Sequence, residues 1–375
     1  MNPGQDSTAN TLRLRMHDAA LENRAHRDEL RAAFERVLDS GRFILGDEVQ
    51  GFEREAAQYL GVPFAVGVSN CSDALVLALR LLGVKPGDEV LVPDFTFIAT
   101  AEAVLRVGAK VVLVDIDADT LCIDPLALEE RISPRCVGII PVHLFGLPAP
   151  MGRLRAIARA HGLWLLEDAA QAMGASLNGR QVGSMGELAV FSFFPTKPLA
   201  GLGDGGLLCG SDEGLDLQAR ALRQHGTSGK LVSSTMGYNA RLDALQAAFL
   251  RVKLARLDAR NDARIQQAGI YDRGLAQVQG LRLSARPLGA RHVFHQYAIR
   301  LLDGARARVQ QALWAAGIET RVYYPVPLHE MPPYRDSAPF PRASAAAAEL
   351  LCLPLGPQVD EAAQQELMER LSDSI

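Results

Sequence analysis

The sequence predicts an α/β fold: a large domain with a mostly parallel central sheet flanked by helices, and a smaller C-terminal α+β domain. Three observations predict it. Short apolar runs alternate with helical patterns through the first two-thirds of the 375 residues. The runs are apolar at successive positions, as in strands buried on both faces. From about Arg241 the pattern changes to a long amphipathic stretch followed by a few short elements.

In chain order, residues 1–15 read as a polar tail with no apolar signal core, 16–260 as the large domain and 261–375 as the small one. His26 to Gly41 is amphipathic and stops at a glycine, which predicts a helix. "FAVGVS" (Phe64 to Ser69) predicts a strand, and "CSDALVLALRLLGV" after it a helix. Further strands are predicted at Asp88 to Pro93, Ala109 to Asp117, Cys136 to Gly146, Leu163 to Asp168 and Leu188 to Phe194. Gly205 to Gly210 follows closely and is expected to pair antiparallel. Arg241 to Leu275 reads as one long helix in which a kink is allowed. A strand (His295 to Leu302), a helix (Arg306 to Gly317), a strand (Glu319 to Tyr324) and a closing helix (Asp360 to Asp373) complete the small domain. The proline-rich Tyr323 to Pro341 reads as a loop of the length that often carries function.

Composition narrows the function classes. A net charge of −4 with interspersed signs does not make a nucleic-acid-binding surface. No apolar run approaches a membrane span. The five cysteines (Cys71, Cys122, Cys136, Cys209, Cys352) form no CxxC pair, which fits a reducing, cytoplasmic setting. The eight histidines form no HExxH, so no metal site is expected. There are only five lysines: Lys85, Lys110, Lys197, Lys230 and Lys253.

Four motifs bear on chemistry. "GLGDGG" (Gly201 to Gly206) satisfies GxGxxG, but a strand-like segment follows where a dinucleotide fingerprint needs a helix, so it reads as a tight turn. "SNCSDALVLAL" (Ser69 to Leu79) runs strand, turn, helix; Ser72 and the helix N–H groups make a phosphate cradle, or Ser72 simply caps the helix. "LLEDAAQAMGA" sets Glu167 and Asp168 at a strand end, facing a site or capping the next helix. Lys197, in "FSFFPTKPLAGLGDGG", is a solvated loop charge or a nucleophile held neutral by burial. Cradle, acid and lysine in that order suit pyridoxal 5′-phosphate (PLP), which needs a phosphate anchor, an acid at its pyridine nitrogen and a Schiff-base lysine.

The ordered series "DALVLALRLLGVKPGDEVLVPDFTFIAT", "GIIPVHLFGLPAPM", "LLEDAAQAMGA", "FSFFPTKPLAGLGDGG", "GYNARLDALQAAFL" and "VYYPVPLH" resembles the DegT/StrS family of PLP-dependent nucleotide-sugar aminotransferases, of the aspartate aminotransferase fold. The resemblance runs from Ser40 to Pro357. It implies that Lys197 carries the cofactor and moves the proton, Asp168 pairs with the ring nitrogen and Gln171 reaches the phenolic oxygen. It places Phe97 on the ring face, Ser72 and Ser192 on the phosphate, and Asn239 on the phosphate of the neighbouring subunit, hence a homodimer with shared sites. The bland alternatives are a core Phe97, a Ser192 that satisfies backbone and an Asn239 that caps the helix after it. Two positions depart from the family: Cys71 replaces a glycine and Met173 a larger polar residue. Beside a helix N-terminus, Cys71 is expected to have a depressed thiol pKa.

The implied reaction moves the amino group of L-glutamate to a dTDP- or UDP-linked keto-hexose. The pattern around Lys197 resembles the branch that aminates position 3. The loop around His329 and the segment Arg291 to Tyr297 are expected to line the sugar-nucleotide cleft. A 4-keto sugar, a cyclitol or a non-catalytic PLP-binding regulator are the alternatives. Dehydratases of the fold replace the lysine with histidine, so Lys197 argues against them.

Overall fold

The computed structural model describes residues 12–227 and 232–375. Residues 1–11 of the expected tail and Lys230 lie outside the described residues. Leu14, also expected in the tail, is buried and bridges to Ile318.

Seven strands build the central sheet: β1 (Phe64–Val68), β2 (Glu89–Pro93), β3 (Lys110–Val114), β4 (Cys136–Ile139), β5 (Trp164–Asp168), β6 (Leu188–Ser192) and β7 (Gly206–Gly210). Their order is β1-β7-β6-β5-β4-β2-β3. All pairs are parallel except those of β7, which runs antiparallel to both β1 and β6. No helix lies between β6 and β7, so the chain turns back instead of crossing over. Every residue of β1, β2 and β7 is buried, because helices cover both faces. The strand expected from Cys136 to Gly146 ends early, at Ile139. Pro141 has no N–H to give the ladder; beyond it only Val142 bridges to Asp168 before a 3₁₀ turn at Leu144–Gly146.

Helices α1 (Arg27–Ser40), α2 (Asp47–Leu60), α3 (Cys71–Leu81), α4 (Ala99–Arg106) and α5 (Met151–His161) flank the sheet. The long helix expected from Arg241 is two: α6 (Ala244–Leu254) and α7 (Leu257–Leu275). The break lets each serve a different core. Ala247, Ala248 and Leu250 pack into the main core, whereas Ala268, Tyr271 and Leu275 pack into a second one.

That second core lies against an antiparallel sheet of β8 (Leu281–Arg282), β9 (Tyr297–Leu301) and β10 (Leu350–Leu353), ordered β8-β9-β10. Helices α8 (Arg306–Ala315) and α10 (Glu361–Ser374) close it with buried Leu313 and Leu367. Between them α9 (Pro341–Glu349) follows the proline-rich loop. The strand expected at Glu319 to Tyr324 is absent. Only Arg321 bridges to β10, at Cys352; the chain then leaves for the central sheet, where Tyr324 is tied to Gln171. Among the described residues no helix is long and apolar enough to cross a membrane.

Candidate active site

In a parallel sheet, ligands sit beyond the carboxyl ends of the strands. A cavity of about 870 Å³ opens there, and Ser72, Phe97, Asp168, Gln171, Ser192 and Lys197 all line it. Asp168 is the last residue of β5 and Ser192 the last of β6. Lys197 follows in the turn after β6, its N–H bonded to the Phe194 carbonyl at 2.9 Å.

Asp168 is 5% exposed. Its Oδ2 accepts from Thr100 Oγ1 at 2.8 Å and its Oδ1 from the Ala170 N–H at 3.1 Å. No helix follows it directly, so the capping alternative falls. Burial pushes its pKa up, against the Thr100 hydrogen bond that favours the charged form. Burial pushes Lys197 the other way, down toward a neutral amine. The Lys197 amine makes no hydrogen bond among the described residues. Behind Asp168, Glu167 and His143 are wholly buried and 3.0 Å apart. Glu167 also accepts from Gly183, Met185 and Gly186 N–H groups, and His143 Nδ1 from that of Ala149. His143 N–H bonds the Asp168 carbonyl at 3.0 Å, so this buried pair fixes the strand end that carries the acid.

Asn70, not Ser72, caps α3: its side chain accepts from the Asp73 N–H at 2.8 Å. The Ser72 hydroxyl is left in the first turn, on the cavity. Gly206 packs against this turn so closely that a Cβ would come within 2.6 Å of the Asn70 carbonyl carbon. A close approach, not dinucleotide binding, accounts for the last glycine of "GLGDGG". Ser192 Oγ lines the cavity and also accepts from the Phe194 N–H at 3.3 Å, so its backbone role is real as well. Phe97 is 52% exposed and not core.

The opposite wall comes from distant chain. Tyr324 lies 6.1 Å from Phe97 between ring centroids and accepts from Gln171 Nε2 at 3.1 Å. Gln171 Oε1 takes the Phe145 N–H at 2.7 Å. Of the loop around His329, Tyr323, Tyr324 and Pro325 line the cavity, whereas His329 itself bonds Asp94 through its Nδ1 (2.6 Å) and N–H (2.8 Å). Of the segment Arg291 to Tyr297, His295 and Gln296 do line the cavity. Asn239 does not; it is exposed, and Asp243 rather than Asn239 precedes α6 as its cap residue. Cys71 reverses the expectation for its thiol. Desolvation pushes its pKa well above the usual value and Asp168 adds to this, outweighing Lys197. Sequence reasoning passed over Thr100, Tyr324 and His143. Each lies within a motif of the ordered series, but nothing local marks the side chain that turns toward the acid.

Over residues 24–372 the sequence matches the DegT/DnrJ/EryC1/StrS aminotransferase family. The chain belongs to this family. The aminotransferase is 45% identical over 350 residues, 93% of each chain, to a UDP-N-acetyl-3-dehydro-alpha-D-glucosamine 3-aminotransferase of Acidithiobacillus ferrooxidans. It is 44% identical over 358 residues, 94% of each chain, to a dTDP-3-amino-3,4,6-trideoxy-alpha-D-glucose transaminase of Streptomyces venezuelae. The solved structure of S. venezuelae DesV in complex with a ketimine intermediate matches with a TM-score of 0.93 at 42% identity, over 96% of this chain and 98% of that one. Aminotransferases of this family depend on pyridoxal 5′-phosphate. The cavity's donor set fits that group: among the described residues, a buried carboxylate with no cation bonded to it, an amine with no bonded partner, the Ser72 hydroxyl at a helix start and the Ser192 hydroxyl at a strand end.

Proposed function

We propose that this aminotransferase moves the amino group of L-glutamate to position 3 of a dTDP- or UDP-linked keto-hexose, giving an amino sugar for polysaccharide or natural-product biosynthesis. One observation carries the reading: Lys197, Asp168 and the first turn of α3 meet in one cavity at the strand ends. The relatives above support the position and the nucleotide, since both are named for chemistry at carbon 3 of a nucleotide sugar.

When bound, pyridoxal 5′-phosphate supplies an electron sink for the electron pair left when a Cα–H bond breaks. Lys197, whose pKa burial lowers toward the neutral amine that bond formation needs, would bind the cofactor and move the proton at the substrate Cα. Asp168 would hold the ring nitrogen, and a proton on that nitrogen would supply the positive charge that its buried carboxylate lacks. Ser72, Ser192 and the α3 N–H groups hold the phosphate. Phe97 would cover a ring face and Gln171 would hold the phenolic oxygen; both line the cavity. Asn239, exposed and off its own cavity, serves the phosphate of a second copy, which makes the working unit a homodimer. Unpaired cysteines support a cytoplasmic enzyme, and the break between α6 and α7, with Ala268, Tyr271 and Leu275 in the second core, supports a division of the chain near residue 260.

The test uses cofactor-loaded protein with L-glutamate and 3-keto or 4-keto hexoses on dTDP and UDP. The expected product is a 3-amino sugar, identified by mass spectrometry and NMR. Borohydride reduction is expected to fix the pyridoxyl label at Lys197. A label found only elsewhere, or amination confined to 4-keto sugars, defeats the corresponding part.

A further inference from the structure

His295 lines the cavity and is 6% exposed. Its position is over-determined by the backbone around it. Arg264 of α7 donates through Nε to the Phe294 carbonyl and through Nη2 to the His295 carbonyl, both at 3.0 Å. Phe294 is held at φ 48° to make the turn. Gly146, at φ 92°, approaches from the sheet side; a Cβ there would sit 3.1 Å from the His295 nitrogen.

The ring itself is left incomplete. His295 Nδ1 is buried with no hydrogen-bond partner among the described residues. His143, wholly buried, has both ring nitrogens bonded, whereas His292, as buried as His295, also leaves its Nδ1 unbonded; what sets His295 apart from His292 is its place on the cavity. Desolvation, with the charges of Lys197 and Arg264, holds the His295 pKa well below its usual value, so the ring is neutral. A neutral imidazole carries one donor and one acceptor. A hydroxyl also carries both, and so complements either tautomer. A carboxylate offers acceptors only and calls for a cation or an N–H cluster. His295 and Lys197 line the same cavity, so the ring shares the space in which the substrate reacts.

We propose that His295 is a specificity residue that hydrogen-bonds a hydroxyl, or another neutral polar substituent, of the hexose beside the carbon that is aminated. This rests on the reading of the second substrate as a nucleotide-linked keto-hexose. Orienting that substituent sets which face and which carbon of the ring meet the Lys197 amine.

The test compares cofactor-loaded unmodified protein with His295→Leu and His295→Gln. Calorimetry measures the binding of UDP-N-acetylglucosamine and dTDP-glucose against UDP and dTDP alone. Loss of one hydrogen bond is expected to weaken the sugar nucleotides about tenfold in His295→Leu and less in His295→Gln. Binding of UDP and dTDP, and the absorbance change that L-glutamate produces, are expected to stay as in the unmodified protein. An equal loss for UDP or dTDP alone overturns the assignment, as does a slowed response to glutamate or unchanged sugar binding. If His295→Leu does not fold, His295→Gln alone decides, with a partial loss confined to the sugar nucleotides expected. An unmodified protein that binds no sugar nucleotide and aminates no keto-hexose overturns the parent reading, and is recognised without any variant.

Discussion

Two buried acids at opposite ends of the central sheet, Glu89 and Asp168, are treated in opposite ways. Glu89 opens β2 and is 3% exposed; Asp168 closes β5 and is 5% exposed. Glu89 accepts from Ser133 Oγ at 2.5 Å, Arg135 Nη2 at 2.6 Å and Lys110 Nζ at 3.3 Å. The Ser133 hydrogen bond, with the two cations, pulls its pKa down to about 2. Asp168 has two neutral donors and a pKa pushed up by burial. Glu89 is completed by the chain and contributes stability. Asp168 is left uncompleted, which costs stability and leaves a ligand to supply the missing charge. Lys197 and His295 share that unfinished state, and both stand at the carboxyl end.

The sharpest break in this comparison comes from Lys197→Ala. Transamination is expected to fall by at least about 10³-fold, from the loss of the proton-moving group. The urea midpoint of the cofactor-free protein is expected to stay the same or rise, since a buried amine without a bonded partner is removed. A variant that keeps turnover, or loses its fold, contradicts the division between the two ends.

Glu89→Gln probes the completed end. The Glu89 pKa lies below its ordinary 4.5, so its contribution is present above about that pH and lost as the pH falls toward about 2. Urea unfolding at pH 7 is expected to show a loss of roughly 1–3 kcal/mol in the variant. Between pH 4.5 and 2 the unmodified protein is expected to lose stability more steeply than the variant. Parallel acid limbs would place the stabilisation elsewhere.

The smallest effect is expected of Tyr324→Phe, which removes the acceptor for Gln171 Nε2 from the far wall of the cavity. The cost to stability is about 0.5–1.5 kcal/mol, read by urea unfolding. Steady-state kinetics are expected to show KM for the keto-sugar rising more than kcat falls, because the wall orients substrate and carries no reacting group. An equal fall in kcat would move Tyr324 into the proton chemistry.

The unfinished end of the sheet was the more legible in sequence. Strands buried on both faces are continuous apolar runs, and a charged or hydroxyl residue at the end of such a run stands out. Asp168, Ser192 and Lys197 were visible for that reason, and Ser72 by its place in a helix's first turn. Their partners were not. Thr100 meets Asp168 across 68 residues of chain and Tyr324 meets Gln171 across 153, distances at which no periodicity operates. The Cys71 expectation rested on a local feature, a helix start, whereas the desolvation that raises its pKa comes from the surroundings the fold assembles.

By itself, then, the sequence determined the alternation of strands and helices, the parallel sheet, the family and the residues that end its central strands, because each rests on local pattern or on motifs contiguous in the chain. Only the tertiary structure decided where the long helix breaks between two cores and that Glu319 to Tyr324 leaves the sheet edge for the cavity. It also decided that His329 bonds Asp94 while His295 faces the site. Those outcomes depend on which surfaces meet and on which polar groups lose water when they do, and desolvation is a property of the assembled neighbourhood rather than of any stretch of chain.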